Sequence, residues 1–176
     1  GERKPTRNLH FFPTLRGLIA ELTGSKDDPM PIFNLRNNKD VMNFLKRNDL
    51  NHLEKRGMAS PDHVLRTKGK PIFLKKTDLK TPGISKKILV FKSSYERYFQ
   101  RQAIKASEPK KILKADPKHA WIEGIGILGI GVNAKSASIA GDLAEQNLRV
   151  RAVGEDFGGF YPLKEKDMFE CEYWSL

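Results

Sequence analysis

Cysteine and local metal-binding patterns are almost absent from this sequence. Its 176 residues include one cysteine, Cys171, so an internal disulfide is excluded. The four histidines lie far apart and form neither an HxH nor an HExxH pattern, which leaves a zinc site built from neighbouring residues unsupported. We therefore expect no metal site and no cofactor in this chain, and no catalytic residue stands out by its pattern alone.

Long apolar runs are also missing. No stretch approaches the ~18 consecutive apolar residues that a membrane-spanning helix requires, and the polar residues 1–4 are not followed by the apolar segment of a secretory signal. Together with the single cysteine, these absences favour a soluble protein of the cytoplasm with no membrane partner. With 39% hydrophobic and 30% charged residues, the chain fits one domain of ordinary size.

Positive charge is abundant but local. The formal net charge is +11, and residues 66–118 alone hold sixteen Lys or Arg against four acids. A basic nucleic-acid-binding module at residues 75–118 stays open as an alternative. Pairs such as Lys75-Lys76 and Lys86-Lys87 flank expected turns and helix ends, however, where exposed charge that supports solubility is the simpler interpretation. We therefore do not expect a nucleic-acid partner.

Hydrophobic spacing predicts alternating helices and strands. Helices are indicated at residues 13–23, 50–56, 84–105 and 133–153. Strands are expected at 31–35, at 71–74, at 120–122 and near the end of the chain within 158–176, and residues 75–85 are interpreted as a loop. This alternation predicts an α/β fold, a Rossmann-like three-layer domain with a mostly parallel sheet. We expect an N-terminal helical segment at residues 1–25 and the α/β domain at residues 26–176.

A glycine-rich stretch follows the strand expected at 120–122. Gly124, Gly126 and Gly129 match the GxGxxG spacing of dinucleotide-binding turns. The next convincing helix begins only near Asn133, and acids such as Asp142 lie inside that helix rather than at the end of another strand. A buried strand with a tight turn is therefore the preferred interpretation of these glycines.

The start of that helix has its own candidate anion site. Gly129 and Gly131 precede Asn133, and Lys135 stands in the first helical turn. Free backbone N–H groups at a helix N-terminus attract anions, and a lysine adds charge. We therefore name Gly129, Gly131 and Lys135 as candidate anion-binding residues.

Residues 60–68 crowd charged side chains around a helix start. Asp62, His63, Arg66 and Lys68 fall within seven residues, and Asp62 and Arg66 are four residues apart on one helical face. One interpretation is an anion-binding or proton-transfer site, since histidine titrates near neutrality. The other is structural: Ser60 and Asp62 cap the helix start, Asp62 pairs with Arg66, and His63 is a satisfied structural histidine.

Several segments also resemble a known family. PDHVLRTK stands at residues 61–68 and PIFL at 71–74, with FPTLRG upstream at 12–17 and YERYF downstream at 95–99; GIGILGIG at 124–131, a helix at 134–146 and EYWSL at 172–176 complete the set. In this order they resemble the joining region of long proteins that connect a class II aldolase/adducin-type domain to a short-chain dehydrogenase. Members include bifunctional rhamnulose-1-phosphate aldolase/alcohol dehydrogenases.

The resemblance implies that this chain is the central domain of a bifunctional sugar-metabolism protein and not a complete enzyme alone. Its implied role is to position the flanking aldolase and dehydrogenase domains or to bind a sugar-phosphate between them. Zinc and NAD are implied for those flanking domains, with aldol cleavage of a deoxy-sugar phosphate and oxidation by a nicotinamide cofactor. An autonomous sugar-phosphate-binding or catalytic domain that uses residues 62–68, and a homo-oligomer, stay open.

Overall fold

One mixed sheet lies at the centre of the computed structural model, which describes residues 9–25 and 27–174. The strands are β1 (Ile32–Arg36), β2 (Ile72–Leu74), β3 (His119–Ile122) and β4 (Gly126–Gly131), in the spatial order β1-β4-β3-β2. β4 pairs antiparallel with both β1 and β3, and only β2 and β3 are parallel. The α/β class is confirmed, whereas the prediction of a mostly parallel, Rossmann-like sheet is wrong.

A tight hairpin explains this difference. β3 and β4 are joined by residues 123–125, with Ile122 paired to Gly126. A connection this short can only turn the chain back, because a parallel crossover needs a dozen or more residues. Gly124 takes a φ of 73°, which a residue without a side chain adopts at no steric cost. The buried strand with a tight turn is thus confirmed, and the GxGxxG spacing does not form a nucleotide-binding turn.

Seven helices surround the sheet within the described residues. They are α1 (Phe11–Thr23), α2 (Lys39–Phe44), α3 (Leu50–Leu53), α4 (Pro61–Thr67), α5 (Thr81–Ala103), α6 (Ala134–Asp156) and α7 (Glu165–Glu172), with a 3-10 turn at Lys76–Asp78. The predicted long helices are confirmed as α5 and α6. α5 begins at Thr81, so the second half of the loop predicted at 75–85 is helical. The strand predicted near the end of the chain is wrong for the described residues, because residues 159–164 are irregular and Met168 and Phe169 lie in helix α7.

The two faces of the sheet bury different sets of helices. Ile72 and Leu74 of β2 pack in a core with α1 and α5, while Phe73, between them, packs in a second core with α2, α3 and α6. This alternation follows from the two-residue period of a strand. Helices therefore cover both faces, which gives the expected three layers. No helix within residues 9–25 and 27–174 is long and apolar enough to span a membrane.

Some sequence predictions concern residues outside this description. They are the absence of a secretory signal at residues 1–4, the first residue of the predicted α/β domain at position 26, and the last two residues of the EYWSL segment. Helix α1 contributes Phe11, Leu15 and Ile19 to the core that it shares with α5. The division of the chain into residues 1–25 and 26–176 stays a prediction.

Close packing of α6 on β4 depends on Gly129. A Cβ atom built on Gly129 would overlap the carbonyl oxygen of Ala137 and the backbone nitrogen of Gly141. The buried stripe of α6 is correspondingly small, with Ala137, Ala140 and Gly141. Glycine therefore stands in this strand because the helix backbone lies directly above it.

Gly129→Ala is expected to lower the free energy of unfolding by about 1–3 kcal/mol, because the added methyl group must push α6 away from the sheet. Urea denaturation followed by circular dichroism measures this change. Gly17→Ala is the matched control, since a Cβ on Gly17 meets no atom within 4 Å. That variant is expected to stabilise α1 by about 0.5–1 kcal/mol. Equal effects of the two substitutions would contradict the packing argument.

Candidate functional site

Side chains from three helices meet in a buried polar cluster, here called the Lys68–Glu172 network. The Nζ of Lys68 lies 3.5 Å from Oε1 of Glu172 and 3.8 Å from the ring centroid of Tyr95. The Tyr95 hydroxyl donates to the same Oε1 at 2.7 Å, and the Tyr98 hydroxyl lies 3.2 Å from Oε2. The Tyr173 hydroxyl, 2.7 Å away, completes the network by donating to the Tyr95 oxygen. These residues come from the segments at 61–68, 95–99 and 172–176 that carry the family resemblance.

The backbone places Lys68 in this network at the end of α4. Its φ is 59° and its ψ −177°, and within the described residues it alone has a positive φ without being glycine. Its N–H still donates to the Val64 carbonyl at 2.9 Å, so the chain leaves the helix at this residue and turns towards β2. A non-glycine residue in this region carries strain that the surrounding packing must hold. The turn points the lysine side chain inward, away from Arg66, which is exposed.

Burial sets the protonation of the network. The side chains of Lys68 and Glu172 are 6% and 5% exposed. Burial lowers the pKa of Lys68, while the nearby carboxylates, Glu172 first, act to raise it. Burial and then the Glu172 charge raise the pKa of both Tyr95 and Tyr98. The two phenols therefore stay protonated and serve as hydrogen-bond donors to one carboxylate.

A small cavity of about 70 Å³ opens beside the network. Lys68 and Tyr95 form its buried floor, and Phe91, Tyr98 and Met168 contribute apolar surface to its walls. A water molecule occupies about 30 Å³ in the liquid, so this space corresponds to about two water molecules.

Charged side chains stand at the mouth of this cavity. Lys70 and Arg101 are exposed there beside Glu165. Arg101 donates to both oxygens of Glu165 at 3.2 and 2.9 Å, Gln102 donates to Oε1 at 2.7 Å, and the arginine hydrogen bonds lower the pKa of this carboxyl. Lys70 makes no ion pair within the part of the chain that the structure describes.

The structure separates the predicted cluster at residues 62–68. Asp62 and Arg66 are exposed and line a surface groove with Asp142 of α6, and they form no ion pair with each other among the described residues. His63 is buried, and Lys68 points into the network described above. Whether any of these residues binds a ligand stays a prediction.

His63 has a structural partner on one side only. Its Nδ1 lies 2.5 Å from the Ser60 hydroxyl, which therefore bonds the imidazole instead of capping the helix backbone. Nε2 is buried and has no hydrogen-bond partner in the described part of the chain. Burial lowers the pKa of His63, so the ring is neutral near pH 7.

The N-terminus of α6 is already occupied by its own side chains. Asn133 Oδ1 accepts from the Ser136 N–H at 2.8 Å, and the Ser136 hydroxyl accepts from the Asn133 N–H at 3.2 Å. Gly131 packs against this turn, since a Cβ there would overlap Ser136. Lys135 is exposed one residue away. The arrangement is a capping box, and anion binding by Gly129, Gly131 and Lys135 stays a prediction.

A second buried polar cluster lies around Arg151 of α6. Its guanidinium is fully buried and donates to the carbonyls of Leu53 and Gly57 at 2.6 and 2.8 Å. It also lies 5.2 Å from the Trp121 ring centroid. Burial lowers the pKa of Arg151 to about 9. His119, also buried, bonds through Nδ1 to the Thr67 carbonyl at 3.1 Å.

Of the residues in this network, the sequence pattern predicts only Lys68 as a site residue. Helical periodicity predicts the helix that carries Tyr95 and Tyr98, but not that their hydroxyl groups bond Glu172. Glu172 and Tyr173 enter the sequence predictions only as part of the EYWSL segment. Among the described residues, no group of three or more His, Cys, Asp or Glu is placed to hold a metal ion. The absence of a metal and of a cofactor stays a prediction.

Comparison with known proteins identifies the family. The model of the family described as aldolase class II, second domain, matches residues 6–176. An uncharacterized oxidoreductase, YuxG of Bacillus subtilis (strain 168), is similar at 26% identity. The alignment is 176 positions long and covers 94% of this chain. The chain spans 24% of the length of that relative. No solved structure matches. Since the family match covers nearly all of the sequence, the chain belongs to the family of second domains of class II aldolases.

Proposed function

We propose that this chain is the connecting domain of a fused sugar-metabolism protein of the cytoplasm, and that it holds two enzyme domains in a fixed relative position. The observation that carries the proposal is the Lys68–Glu172 network, which fastens α7 to the end of α4 and to α5. A buried, hydrogen-bonded ion pair favours one geometry over others because each partner is expensive to leave unpaired. Such a contact would fix the direction in which the chain leaves this domain after α7.

Helix α5 also contacts α1, the first helix of the described chain. Leu15 and Ile19 of α1 share a core with Ile84 and Ile88 of α5. In addition, the ammonium group of Lys92 in α5 donates to the Leu22 carbonyl at 3.3 Å. α5 therefore contacts both the first and the last described helices, so a single rigid element can set the distance between the two flanking domains.

The activities of the neighbouring domains belong to this proposal. The resemblance implies a zinc-dependent aldolase on one side and a nicotinamide-dependent dehydrogenase on the other, acting on a deoxy-sugar phosphate and on the aldehyde or alcohol derived from it. The oxidoreductase name of the relative and the short share of its length that this chain covers are consistent with such an arrangement.

A sugar-phosphate site at residues 62–68 has less support. The groove beside α4 sets the carboxylates of Asp62 and Asp142 against the single guanidinium of Arg66. Asp142 is already paired with Arg36 at 2.7 Å. Two carboxylates and two guanidinium groups therefore balance at this groove. No excess positive charge is left to bind a phosphate of about two negative charges.

Distance measurements in the fused parent protein test the connecting role. With one spin label in each flanking domain, we expect a narrow distance distribution by pulsed electron resonance, and a broader one in Glu172→Ala. Glu170→Ala is the matched control, because Glu170 lies on the exposed face of the same helix and, within residues 9–25 and 27–174, pairs only with Lys166 at 3.5 Å. An equally narrow distribution in Glu172→Ala, measured where circular dichroism shows a folded domain, would refute the connecting role.

A further inference from the structure

The ammonium group of Lys68 is incompletely paired. It has three N–H donors, but among the described residues the one carboxylate that it pairs with, Glu172, lies 3.5 Å away, beyond the usual 2.7–3.2 Å of a strong hydrogen bond. A second side of the group faces the Tyr95 ring at 3.8 Å. The side chain is nevertheless 6% exposed, so bulk water does not satisfy it. Since Lys68 also forms the floor of the 70 Å³ cavity, the cavity is where a further partner has room.

The charges around this cavity do not balance. Lys68, Lys70 and Arg101 contribute three positive charges, and Glu165 at the mouth and Glu172 next to Lys68 contribute two negative charges. Asp116, whose charge also acts on Lys68, is paired with Lys118 at 2.8 Å. Glu165 is bound by Arg101, and the Glu172 carboxylate is shared with two tyrosine hydroxyls. One positive charge is therefore left without a counterpart, in a site partly removed from water.

We propose that this cavity binds a small monocarboxylate, with the carboxylate between Lys68 on the floor and Lys70 at the mouth. The short carbon chain of the ligand lies against Phe91, Tyr98 and Met168, which supply apolar surface at the correct place. This inference rests on the cavity and its charges, and it does not depend on the connecting role proposed above.

Size and charge select this ligand class. The cavity volume of about 70 Å³ is roughly twice the 30 Å³ that a water molecule occupies in the liquid, which limits the ligand to a short acid such as acetate. A phosphate monoester carries about −1.5 to −2 charges at pH 7. That exceeds the single uncompensated charge of the site, and its polar oxygens would contact aromatic walls.

Titration of the 176-residue chain tests the proposal. Sodium acetate and sodium propionate, added at constant ionic strength, are expected to give saturable shifts of the Gly69 and Tyr95 amide resonances, with a dissociation constant of about 1 mM. Lys70→Gln is expected to weaken acetate binding about fivefold. This variant is chosen over Lys68 variants because Lys70 is exposed, so its replacement is expected to leave the fold intact.

Lys39→Gln is the matched control, since Lys39 is an exposed lysine on α2 and does not line the cavity. It is expected to bind acetate as the unaltered chain does. The proposal is overturned by the absence of saturable shifts, by equal weakening in both lysine variants, or by inorganic phosphate binding more tightly than acetate. Phosphate binding that is lost in Lys135→Gln but kept in Lys70→Gln would place the anion at the start of α6 instead.

Discussion

Replacing Glu172 with alanine is expected to lower the free energy of unfolding by about 3–5 kcal/mol, the range found when one partner of a buried ion pair is removed. The substitution leaves the Lys68 ammonium group, 6% exposed, without its carboxylate. It also removes the acceptor of the Tyr95 and Tyr98 hydroxyls. The loss has an upper limit, because Lys68, whose pKa is already lowered by burial, can release its proton.

Chemical denaturation followed by circular dichroism measures this effect, with Glu170→Ala as the control. Both substitutions remove a glutamate from α7, but Glu170 is exposed and its pair with Lys166 is expected to contribute less than about 1 kcal/mol. The double variant Lys68→Met, Glu172→Ala separates charge from packing. Methionine fills the lysine volume without a charge, so the double variant is expected to recover part of the stability lost in Glu172→Ala.

The outcome of this double-mutant cycle decides what the network does. A double variant whose loss equals the sum of the two single losses would mean that Lys68 and Glu172 do not interact, despite their 3.5 Å separation. A loss in Glu172→Ala no larger than in Glu170→Ala would mean that the network does not anchor α7. Either result would remove the basis of the proposed connecting role.

The long helices could be predicted because their signal is local. Ile84, Ile88 and Tyr95 recur at helical spacing and are buried in α5, as expected from periodicity. The N-cap of α6 could also be placed, since Asn133 accepts from the Ser136 N–H. Each of these features depends on residues within a few helical turns of each other, so the sequence pattern contains the information.

Strand direction could not be predicted in the same way. Alternation of helices and strands favours parallel pairing, but the only parallel pair among the described strands is β2 with β3. Residues 120–131 look like a single apolar glycine-rich stretch, and they fold as two strands because Gly124 permits a turn with positive φ. Tertiary pairing therefore decided what the local pattern left ambiguous.

The candidate site was only partly visible for a related reason. Lys68 and Glu172 are 104 residues apart in sequence, and Tyr95 and Glu172 are 77 apart. The apolar and aromatic residues within 158–176 predict a strand, whereas α7 buries Met168, Phe169 and Glu172 on one helical face. Whether a charged residue is buried depends on the distant partner that it contacts in the folded chain. Local sequence spacing does not identify that partner.

Folding lowers the pKa of His119 strongly, which makes the stability of the protein depend on pH. It stands at the start of β3 with 1% of its surface exposed, and its Nδ1 bonds the Thr67 carbonyl. Burial, followed by the charge of Arg151, lowers the pKa of His119 to about 3. In the unfolded chain the pKa of a histidine is about 6.5. Between these two values the unfolded state holds a proton that the folded state does not.

Stability is therefore expected to fall as the pH falls from about 6.5 towards 3, by up to about 1.4 kcal/mol per pH unit for this one group. His119→Asn removes the titrating ring while an amide N–H can still donate to the Thr67 carbonyl. We expect its free energy of unfolding to vary less between pH 6.5 and 5, where most carboxylates remain ionised. The slope that remains comes mainly from His63, whose pKa is also lowered by burial.

His52→Asn, at an exposed histidine, is the control and should lose about 1.5–2 kcal/mol more than His119→Asn over the same interval. Urea denaturation at several pH values measures these slopes, and parallel slopes for the two variants would show that His119 does not remain neutral in the folded protein.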